Sequence, residues 1–311
     1  MSLEITFIHY SKNFVEMYMQ AWDSYWQNNN PNTPVFSNHL GQSRVEICDF
    51  WASVFENLAE KAVVLDVACG AGAVFDAIKN ANAYTLYAHD GSPIARSKVL
   101  KKYPHASEVS NERLLQYKKP FIEQLVSQFG IEYLDDEHVQ GAFDTLLPGG
   151  NFAALVHKKS GYIYNKYKAE GEQIQSLLQY DVCARLGELH ERSARLQETL
   201  TNEAKGIWAQ TGLNLSDLLT GPEALYAGST QLLSNYNKYT MGDVRNWFSG
   251  MQKQLQAALD NMMEIVSVAK SEDDVKHMCF LGGIKDNLAI QPLYISSQNE
   301  PVAWSVRGKK C

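Results

Sequence analysis

One stretch, residues 63–73, limits what this chain can fold into more than any other. Its sequence is VVLDVACGAGA: an apolar run that contains one acid, Asp66, followed by a turn of small residues and a helix start near Val74. Such a run without alternation is typical of a buried parallel strand, because helices cover both faces of the sheet. Glycines let the backbone turn sharply and approach a ligand at the strand's carboxyl end. The stretch therefore predicts an α/β protein with a nucleotide-type loop.

The glycine spacing distinguishes between kinds of nucleotide. A dinucleotide-binding G-x-G-x-x-G pattern would need glycine at position 75, which is Phe75, and a phosphate-binding loop would need a terminal Gly-Lys-Ser/Thr. The pattern V-L-D-V-A-C-G-A-G-A instead resembles the first motif of class I S-adenosylmethionine-dependent methyltransferases, whose cofactor carries no phosphate group to bind. The alternative is an ordinary strand-to-helix turn in another α/β protein.

A second match follows at the spacing that this resemblance requires. Residues Tyr84–Asp90 predict a strand that ends in an acid, and a Gly-Ser-Pro turn then opens a helix with Ser92 as its N-cap. Asp90 lies twenty residues after Gly70, where a Rossmann-like site uses a carboxylate to accept hydrogen bonds from ribose hydroxyls. The letters H-D-G-S-P-I-A are similar to the corresponding methyltransferase pattern, although residues 98–99 depart from it.

Further segments resemble the remainder of the class I core. Residues Phe121–Tyr133 are similar to the fourth strand and its loop, Leu147–Gly150 to the turn before the fifth strand, and Ala289–Ile295 with Val302–Gly308 to the antiparallel hairpin that ends the sheet. A third strand is expected at Glu108–Ser110. We therefore expect a Rossmann-like, mostly parallel seven-stranded sheet with an antiparallel C-terminal hairpin, an N-terminal helical lid and a helical insertion before the last helix.

The resemblance also implies a division into domains. Residues 1–164 and 270–311 would form the S-adenosylmethionine-binding core, with N-terminal helices within residues 1–60, and residues 165–269 would form the insertion. Apolar residues at helical spacing over Asn165–Ala204 and Met241–Ala269 predict its long helices, with short helices and turns between them. The insertion is interpreted either as a substrate-selecting cap or as a dimerisation or stabilising bundle. Five aromatic residues favour the cap: Trp208, Tyr226, Tyr236, Tyr239 and Trp247.

An aromatic stripe precedes the core. Residues Asn13–Trp26 predict a helix that either packs on the domain or forms a lid over the cofactor. As a lid it would supply four substrate-binding side chains: Tyr18, Trp22, Tyr25 and Trp26. A second helix is expected over Ser43–Leu58. Its Arg44 would pair with the methionine carboxylate of the cofactor, and the alternative is an exposed arginine.

The resemblance implies that S-adenosyl-L-methionine is the cofactor. Besides Arg44, its binding residues would come from the ends of the first four strands and the loops that follow them: Asp66, Ala68, Cys69, Gly70, Gly72, Asp90, Gly91, Ser92, Asn111, Glu112, Ser127, Gln128 and Phe129. Either Asn111 or Glu112 would meet the adenine. Residues 127–129 would line the pocket beside the sulfonium and the adenine.

Methyl transfer mainly requires that the acceptor is held in line and that water is removed. A general base helps when the acceptor is a hydroxyl or a protonated amine. His157, at the end of the fifth strand, is the candidate base, and the alternative is a structural histidine. Tyr133 and Glu132, after the fourth strand, are candidates to position the acceptor. No set of metal ligands is expected.

Composition excludes several classes of function. A formal net charge of −7 argues against sequence-independent binding of nucleic acid. No apolar run reaches membrane-spanning length, and the N-terminus lacks the layout of a signal peptide. The cysteines are scattered, odd in number and without C-x-x-C spacing, which predicts reduced thiols in a cytoplasmic protein: Cys48, Cys69, Cys183, Cys279 and Cys311.

The leading hypothesis is a methyltransferase that acts on oxygen or nitrogen of a small molecule or peptide. The expected partner is that acceptor, joined by a second copy under the alternative in which the insertion is a dimerisation element, with no nucleic acid and no membrane. One alternative is a non-catalytic S-adenosylmethionine-binding protein that acts through its insertion as a partner or scaffold. Another is an aminopropyl-type transferase, whose acidic motifs are not visible.

Overall fold

The computed structural model describes residues 22–23, 26–27, 45–117, 119–191, 197–235 and 238–311. The chain divides into two compact units. We call Met1–Ile163 with Val268–Cys311 the core unit, and Tyr164–Ser267 the helical unit. Arg44, Tyr18, Tyr25 and most of the predicted first helix lie outside the described residues.

The core unit is built on one seven-stranded sheet. Its strands are β1 (Val63–Val67), β2 (Thr85–His89), β3 (Ser107–Val109), β4 (Ile122–Gln128), β5 (Leu146–His157), β6 (Ile284–Leu293) and β7 (Ala303–Lys310). Their order is β3-β2-β1-β4-β5-β7-β6, and β7 alone runs antiparallel to both of its neighbours. The expected Rossmann-like sheet with an antiparallel C-terminal hairpin is therefore confirmed.

The helices follow in chain order, with α6 beginning in the core unit, α7–α9 inside the helical unit, and α10 ending at Val268, the first residue of the returning core segment. They are α1 (Val45–Phe55), α2 (Ala73–Asp76), α3 (Pro93–Lys102), α4 (Asn111–Gln116), α5 (Asp136–Asp144), α6 (Tyr162–Gln179), α7 (Val182–Glu191), α8 (Gln197–Gln210), α9 (Thr220–Ser234), α10 (Met241–Val268) and α11 (Glu272–Leu281). Within this described part of the chain, no helix is both long enough and apolar enough to cross a membrane.

The position of β1 in the sheet indicates where a ligand binds. Asp66 lies opposite Ala88 on β2 and opposite Val126 on β4. The chain enters β2 on one side of β1 and β4 on the other, so the strand order reverses at β1. In open α/β sheets, ligands bind at the carboxyl edge of the strands at such a switch point. Val64, Leu65 and Val67 are fully buried, as expected for a strand covered on both faces.

Three boundaries differ from the sequence prediction. The third strand ends one residue earlier than expected, because the Ser110 hydroxyl accepts a hydrogen bond from Arg113 N and caps α4. The predicted turn Leu147–Gly150 lies inside β5, whose pairing with β4 is irregular there and whose Gly149 has φ +76°. The hairpin begins earlier than predicted, because β6 starts at Ile284 and meets β7 through register shifts before Ala289.

The helical unit has its own apolar core, which is formed by α6–α10. Its most buried members are Ile174, Val182, Leu186, Leu200 and Leu225. The single long helix expected before residue 204 is interrupted at Asp181, which has φ +48°. The stretch expected to hold short helices contains the 15-residue α9. In that helix a Cβ at Gly228 would lie 2.2 Å from the Trp247 ring, so the glycine makes room for the indole.

Of the aromatic residues cited for a substrate cap, Trp208 is buried, so that prediction is wrong for Trp208, while Tyr226 and Trp247 are partly buried. Trp208 is buried and packs edge-on against Tyr226, with ring centroids 5.3 Å apart. Trp247 packs edge-on against Phe248 at 4.9 Å, and both Tyr226 and Trp247 lie against the unit's core. Tyr239 is exposed, and Tyr236 lies outside the described residues. The roles of cap and dimerisation element both stay predictions.

We expect that the core unit folds without the helical unit. Three hydrogen bonds within the core unit anchor the return of the chain: Lys270 N to His157 O at 2.8 Å, Lys159 N to Lys270 O at 2.9 Å, and Trp304 Nε1 to Lys270 O at 2.9 Å. A protein in which Tyr164–Ser267 is replaced by a flexible linker should therefore melt cooperatively, as followed by circular dichroism. A control that also removes residues 268–270 loses these bonds and should melt at a lower temperature. A shorter protein that is molten or aggregated would contradict the expectation.

Candidate functional site

The loop after β1 is held to the end of β2 by hydrogen bonds from its backbone N–H groups, and one further bond closes the loop on itself. Cys69 N donates to His89 O at 2.8 Å, Gly70 N to Asp90 Oδ2 at 2.9 Å, and Gly72 N to Cys69 O at 2.9 Å. Gly70 has φ +52°, a conformation that glycine adopts without strain. The two loops therefore form one continuous surface at the carboxyl edge of the sheet.

Ala68 and Cys69 contribute backbone to this surface. Ala68 has φ +52°, and a Cβ at Gly130 would lie 2.6 Å from the Ala68 Cβ, so the loops after β1 and β4 pack closely. The Cys69 thiol is buried, and burial raises its pKa well above the ordinary value.

Asp66 is the buried acid of the first strand, and its carboxylate is unsatisfied. Its exposed fraction is 1%, and neither oxygen has a hydrogen-bond partner among the described residues. Burial raises its pKa well above the ordinary value, and the nearby carboxylates Asp90 and Asp76 raise it further. A buried acceptor without a donor costs stability, so this position suits a ligand that brings a donor or a positive charge.

Asp90 accepts one hydrogen bond at each of its two carboxylate oxygens. Its Oδ2 accepts from Gly70 N at 2.9 Å and its Oδ1 from Ser92 N at 2.8 Å. Burial raises its pKa, while these two N–H donors and Arg96 oppose the rise. Each carboxylate oxygen can accept a further hydrogen bond, so Asp90 can still receive two ligand hydroxyls.

His89 and Asn111 extend the polar network beneath the loop. His89 is fully buried, its Nε2 lies 3.0 Å from Asn111 Oδ1, and its Nδ1 accepts from Ala68 N at 3.4 Å. These partners fix a neutral ring with the proton on Nε2. Burial lowers the pKa of His89 to about 4, and the Asn111 hydrogen bond opposes that change. Asn111 is therefore held at the site by the histidine.

Asn111 and Glu112 have different surroundings, although both were candidates to meet an adenine. The Asn111 amide lies beside Gly91, where an added Cβ would be 3.5 Å from its Nδ2. Glu112 is exposed, and a hydrogen bond from the Ser110 hydroxyl lowers its pKa. Of the two candidates, the structure brings only Asn111 to the loop surface.

Ser92 begins α3 as predicted. Its hydroxyl accepts from Ala95 N at 3.2 Å and donates to the Asp23 carboxylate, which belongs to the N-terminal segment. One turn further along α3, Arg96 Nη1 donates to Asp90 O at 2.6 Å. The loop after β2 is thus fixed from within its own helix.

The three candidates at the end of β4 serve different purposes. The Ser127 hydroxyl donates to Val67 O at 2.8 Å and accepts from Ile131 N at 2.9 Å, so its proton is used inside the protein. Gln128 Oε1 accepts from Trp51 Nε1 at 2.6 Å, which leaves its amide nitrogen for a ligand. Phe129 has φ +54° and presents its ring to His157 at 4.6 Å between centroids.

His157 and Glu132 form a buried pair at the same edge of the sheet. Glu132 Oε1 lies 2.7 Å from His157 Nδ1 and 2.8 Å from His157 N. A carboxylate at Nδ1 holds the proton there and leaves the Nε2 lone pair as a base. Within the described part of the chain, no group is hydrogen-bonded to Nε2. Tyr133 stands edge-on to the imidazole at 6.1 Å.

Two predicted lid residues contact this edge. Trp22 packs edge-on against Tyr133 at 5.4 Å and stacks on Trp26 at 6.4 Å, centroid to centroid. A Cβ at Gly70 would lie 2.6 Å from Trp26 Cη2, so this indole rests on the glycine loop. Lys98 also donates to the Trp26 carbonyl. The two tryptophans therefore lie between the glycine loop and the aromatic group around His157.

The strand order, the reversed β7 and the glycine loop at the switch point together decide the fold. The chain has the fold of class I methyltransferases. No family model and no curated protein sequence matches it.

Solved structures with a similar chain path include several methyltransferases. A TehB-like S-adenosylmethionine-dependent methyltransferase from Corynebacterium glutamicum is 14% identical over 46% of this chain and 74% of its own, with a TM-score of 0.33. A possible exported protein from Bordetella parapertussis is 11% identical over 93% and 78%, with a TM-score of 0.44.

A protein of echinomycin biosynthesis, linked to conversion of a disulfide bond into a thioacetal group, is 10% identical over 94% of this chain and 92% of its own, with a TM-score of 0.44. For several of the matched methyltransferases, the chain spans less than two thirds of their length. With TM-scores below 0.5, these matches carry no conclusion about substrate or activity.

Sequence inspection missed the partners that hold the site residues. The Trp51–Gln128 bond joins residues 77 positions apart, and the His89–Asn111 pair joins residues 22 apart. Neither spacing belongs to a local motif, so no signal in the sequence identifies them. Arg96 could have been found, because it lies one helical turn after the N-cap Ser92 and can reach back to the preceding loop.

We expect His89 to titrate with a pKa of about 4. Nuclear magnetic resonance of the imidazole measures this value, and the His89→Gln variant identifies the His89 signal. Because this value lies below the unfolded value near 6.5, the stability contributed by neutral His89 is complete above pH 6.5 and is lost as the pH falls toward 4. The loss amounts to about 3 kcal/mol. A titration near pH 6.5, or a proton on Nδ1, would contradict the buried neutral ring.

Proposed function

We propose that this protein is a methyltransferase that uses S-adenosyl-L-methionine and acts on oxygen or nitrogen of a small molecule or peptide. One observation carries the proposal: the buried, unpartnered Asp66 carboxylate at the end of β1, beside the loop held by Asp90. A ligand that fits must bring a positive donor to Asp66 and hydroxyls to Asp90. The amino acid and ribose parts of S-adenosylmethionine carry these groups.

The residues of the carboxyl edge would hold this cofactor from three sides. Asp66 would accept from its ammonium group, Asp90 from its ribose hydroxyls, and the Asn111 amide would bind the adenine edge. When bound, the cofactor supplies a sulfonium-activated methyl group. Ser127 keeps a structural role in this scheme, because both of its hydrogen bonds are made within the protein.

His157 would accept the proton of the methyl acceptor at Nε2. Glu132 is its positioning residue, since it binds Nδ1 and stabilises the imidazolium that forms. The second oxygen, Glu132 Oε2, is buried and has no hydrogen-bond partner among the described residues, so the carboxylate has no competing donor there. This arrangement suits an acceptor hydroxyl or a protonated amine.

Aromatic rings would surround the acceptor and keep water away. Phe129, Tyr133 and Trp22 form a connected group on one side of His157. Rings exclude water from the line of transfer, and a tyrosine hydroxyl or an indole N–H can still orient a polar acceptor. Tyr133 and Trp22 are thus proposed to bind the acceptor.

The proposal is tested by supplying cofactor with an isotopically labelled methyl group together with pools of metabolites and peptides. Labelled products support a methyltransferase, and their structures identify oxygen or nitrogen as the acceptor atom. Binding of the cofactor without any labelled product would favour the non-catalytic alternative. Transfer of an aminopropyl group instead would overturn the proposal.

With an acceptor in hand, His157→Gln should lower kcat by about 10²- to 10⁴-fold, because the general base is lost. The affinity for the cofactor should not change, and His277→Gln, an exposed histidine on α11, serves as the matched control. In Glu132→Gln the amide can still accept from Nδ1–H, but the imidazolium loses its carboxylate partner. We therefore expect Glu132→Gln to lower kcat while the affinity for the cofactor stays unchanged. Equal activity of wild type and His157→Gln would remove His157 from the mechanism.

A further inference from the structure

A second pocket lies at the opposite, amino edge of the core sheet. It is lined by the end of α1 and the residues just after it, the first residues of β4, the middle of β5, Asn287 on β6 and the end of β7, and its volume is about 260 Å³. All of its lining belongs to the core unit. None of the residues assigned to the cofactor or to the methyl acceptor takes part in it.

The polar lining of this amino-edge pocket is rich in hydrogen-bond donors. It consists of two cations, four amides and one hydroxyl, and Lys309 among them is exposed to solvent: Arg307, Lys309, Asn57, Gln124, Asn151, Asn287 and Ser53. No acidic side chain is among the lining residues, although the whole chain carries a net charge of −7. Gln124 is almost fully buried, and its amide nitrogen donates to Leu125 O at 3.3 Å. The pocket thus concentrates positive charge on an acidic protein.

Arg307 is fixed in place with part of its guanidinium unused. Its Nη2 donates to Phe50 O at 3.2 Å and to Ser53 Oγ at 2.5 Å, and the guanidinium carbon lies 4.8 Å from the centre of the Phe50 ring. Within the described part of the chain, Nε and Nη1 make no hydrogen bond and no carboxylate lies within 4.0 Å. Burial without a negative partner lowers its pKa.

Lys309 adds a second cation that no acid neutralises. It stands opposite Asp286 in the ladder between β6 and β7, yet the described residues show no ion pair between the two side chains. The fixed guanidinium of Arg307 and the nearby ammonium group of Lys309 can both donate hydrogen bonds to the oxygen atoms of a carboxylate or a phosphate. The surrounding amides can donate to the remaining oxygens.

We propose that the amino-edge pocket binds a small molecule through a carboxylate or phosphate group held by Arg307 and Lys309. The site is independent of the proposed methyl transfer, since it uses other residues at the other edge of the sheet. An anion there would compensate the two cations and complete the hydrogen bonds of the guanidinium.

The test is calorimetric titration of the full chain with inorganic phosphate and with succinate, against chloride at matched ionic strength. We expect saturable binding of at least one of them at millimolar concentration, as is usual for a fragment of a larger ligand. The anion that binds more tightly identifies the group as phosphate or carboxylate. Arg307→Gln should weaken binding at least ten-fold, and Lys285→Gln, an exposed lysine on β6 outside the pocket, should not change it.

A second variant covers the case in which Arg307→Gln does not fold, because Arg307 also joins β7 to α1. Lys309→Gln leaves those contacts intact and should weaken binding at least three-fold. Heats that equal those of chloride for both anions would overturn the proposal. So would binding by Lys309→Gln that equals that of the wild type.

Discussion

The hydrogen bond from Gly70 N to Asp90 Oδ2, 2.9 Å long, holds the carboxyl edge of this sheet together. It fastens the loop after β1 to the end of β2, and the Ser92 N–H holds the other oxygen of the same carboxylate. This arrangement keeps a negative charge next to the buried Asp66, which raises the pKa of Asp66 beyond the effect of burial. The fold itself brings the two acids together, since they stand at the ends of adjacent parallel strands.

The other half of the site depends on a different set of contacts. Ser127 bridges β1 and the turn after β4, and this turn presents Glu132 to His157. The histidine is held through both Nδ1 and its backbone nitrogen, so its ring has little freedom to rotate. In the proposed mechanism, a histidine fixed in this way would accept the proton of the acceptor without reorganisation. The two halves of the site meet along β1 and β4, where the strand order reverses.

Local sequence rules accounted for most of the sheet and for the start of the site. The apolar run that contains Asp66 predicted a buried parallel strand, and the Ser92 N-cap predicted the start of α3. Both of these sequence rules depend only on residues that lie within a few positions of each other in the chain. The pairs that hold the side chains in place, such as Trp51 with Gln128, join distant parts of the chain and depend on how the helices pack on the sheet.

Sequence patterns failed where a residue's surroundings decide its role. Trp208 was interpreted as a surface aromatic, but it is buried in the core of the helical unit, and Trp247 packs partly buried against that core. Glu112 and Asn111 were equal candidates to bind the adenine, but in the helix that Ser110 caps the Glu112 side chain is exposed to solvent. The Arg307 pocket has no motif at all, because its lining comes from α1 and four strands.

The claim on which the account rests is that Asp66 receives the ammonium group of S-adenosylmethionine, and calorimetric titration tests it most directly. Titrations in buffers of different ionisation enthalpy measure the protons released on binding. The wild type should release protons when it binds the cofactor, because the positive charge of the ligand lowers the raised pKa of Asp66. Asp66→Asn should weaken binding by about 1–3 kcal/mol and abolish the release. The control Asp76→Asn removes another negative charge that acts on Asp66, and it should change the affinity and the proton release much less than Asp66→Asn does. Equal affinity and equal proton release in wild type and Asp66→Asn would contradict the account.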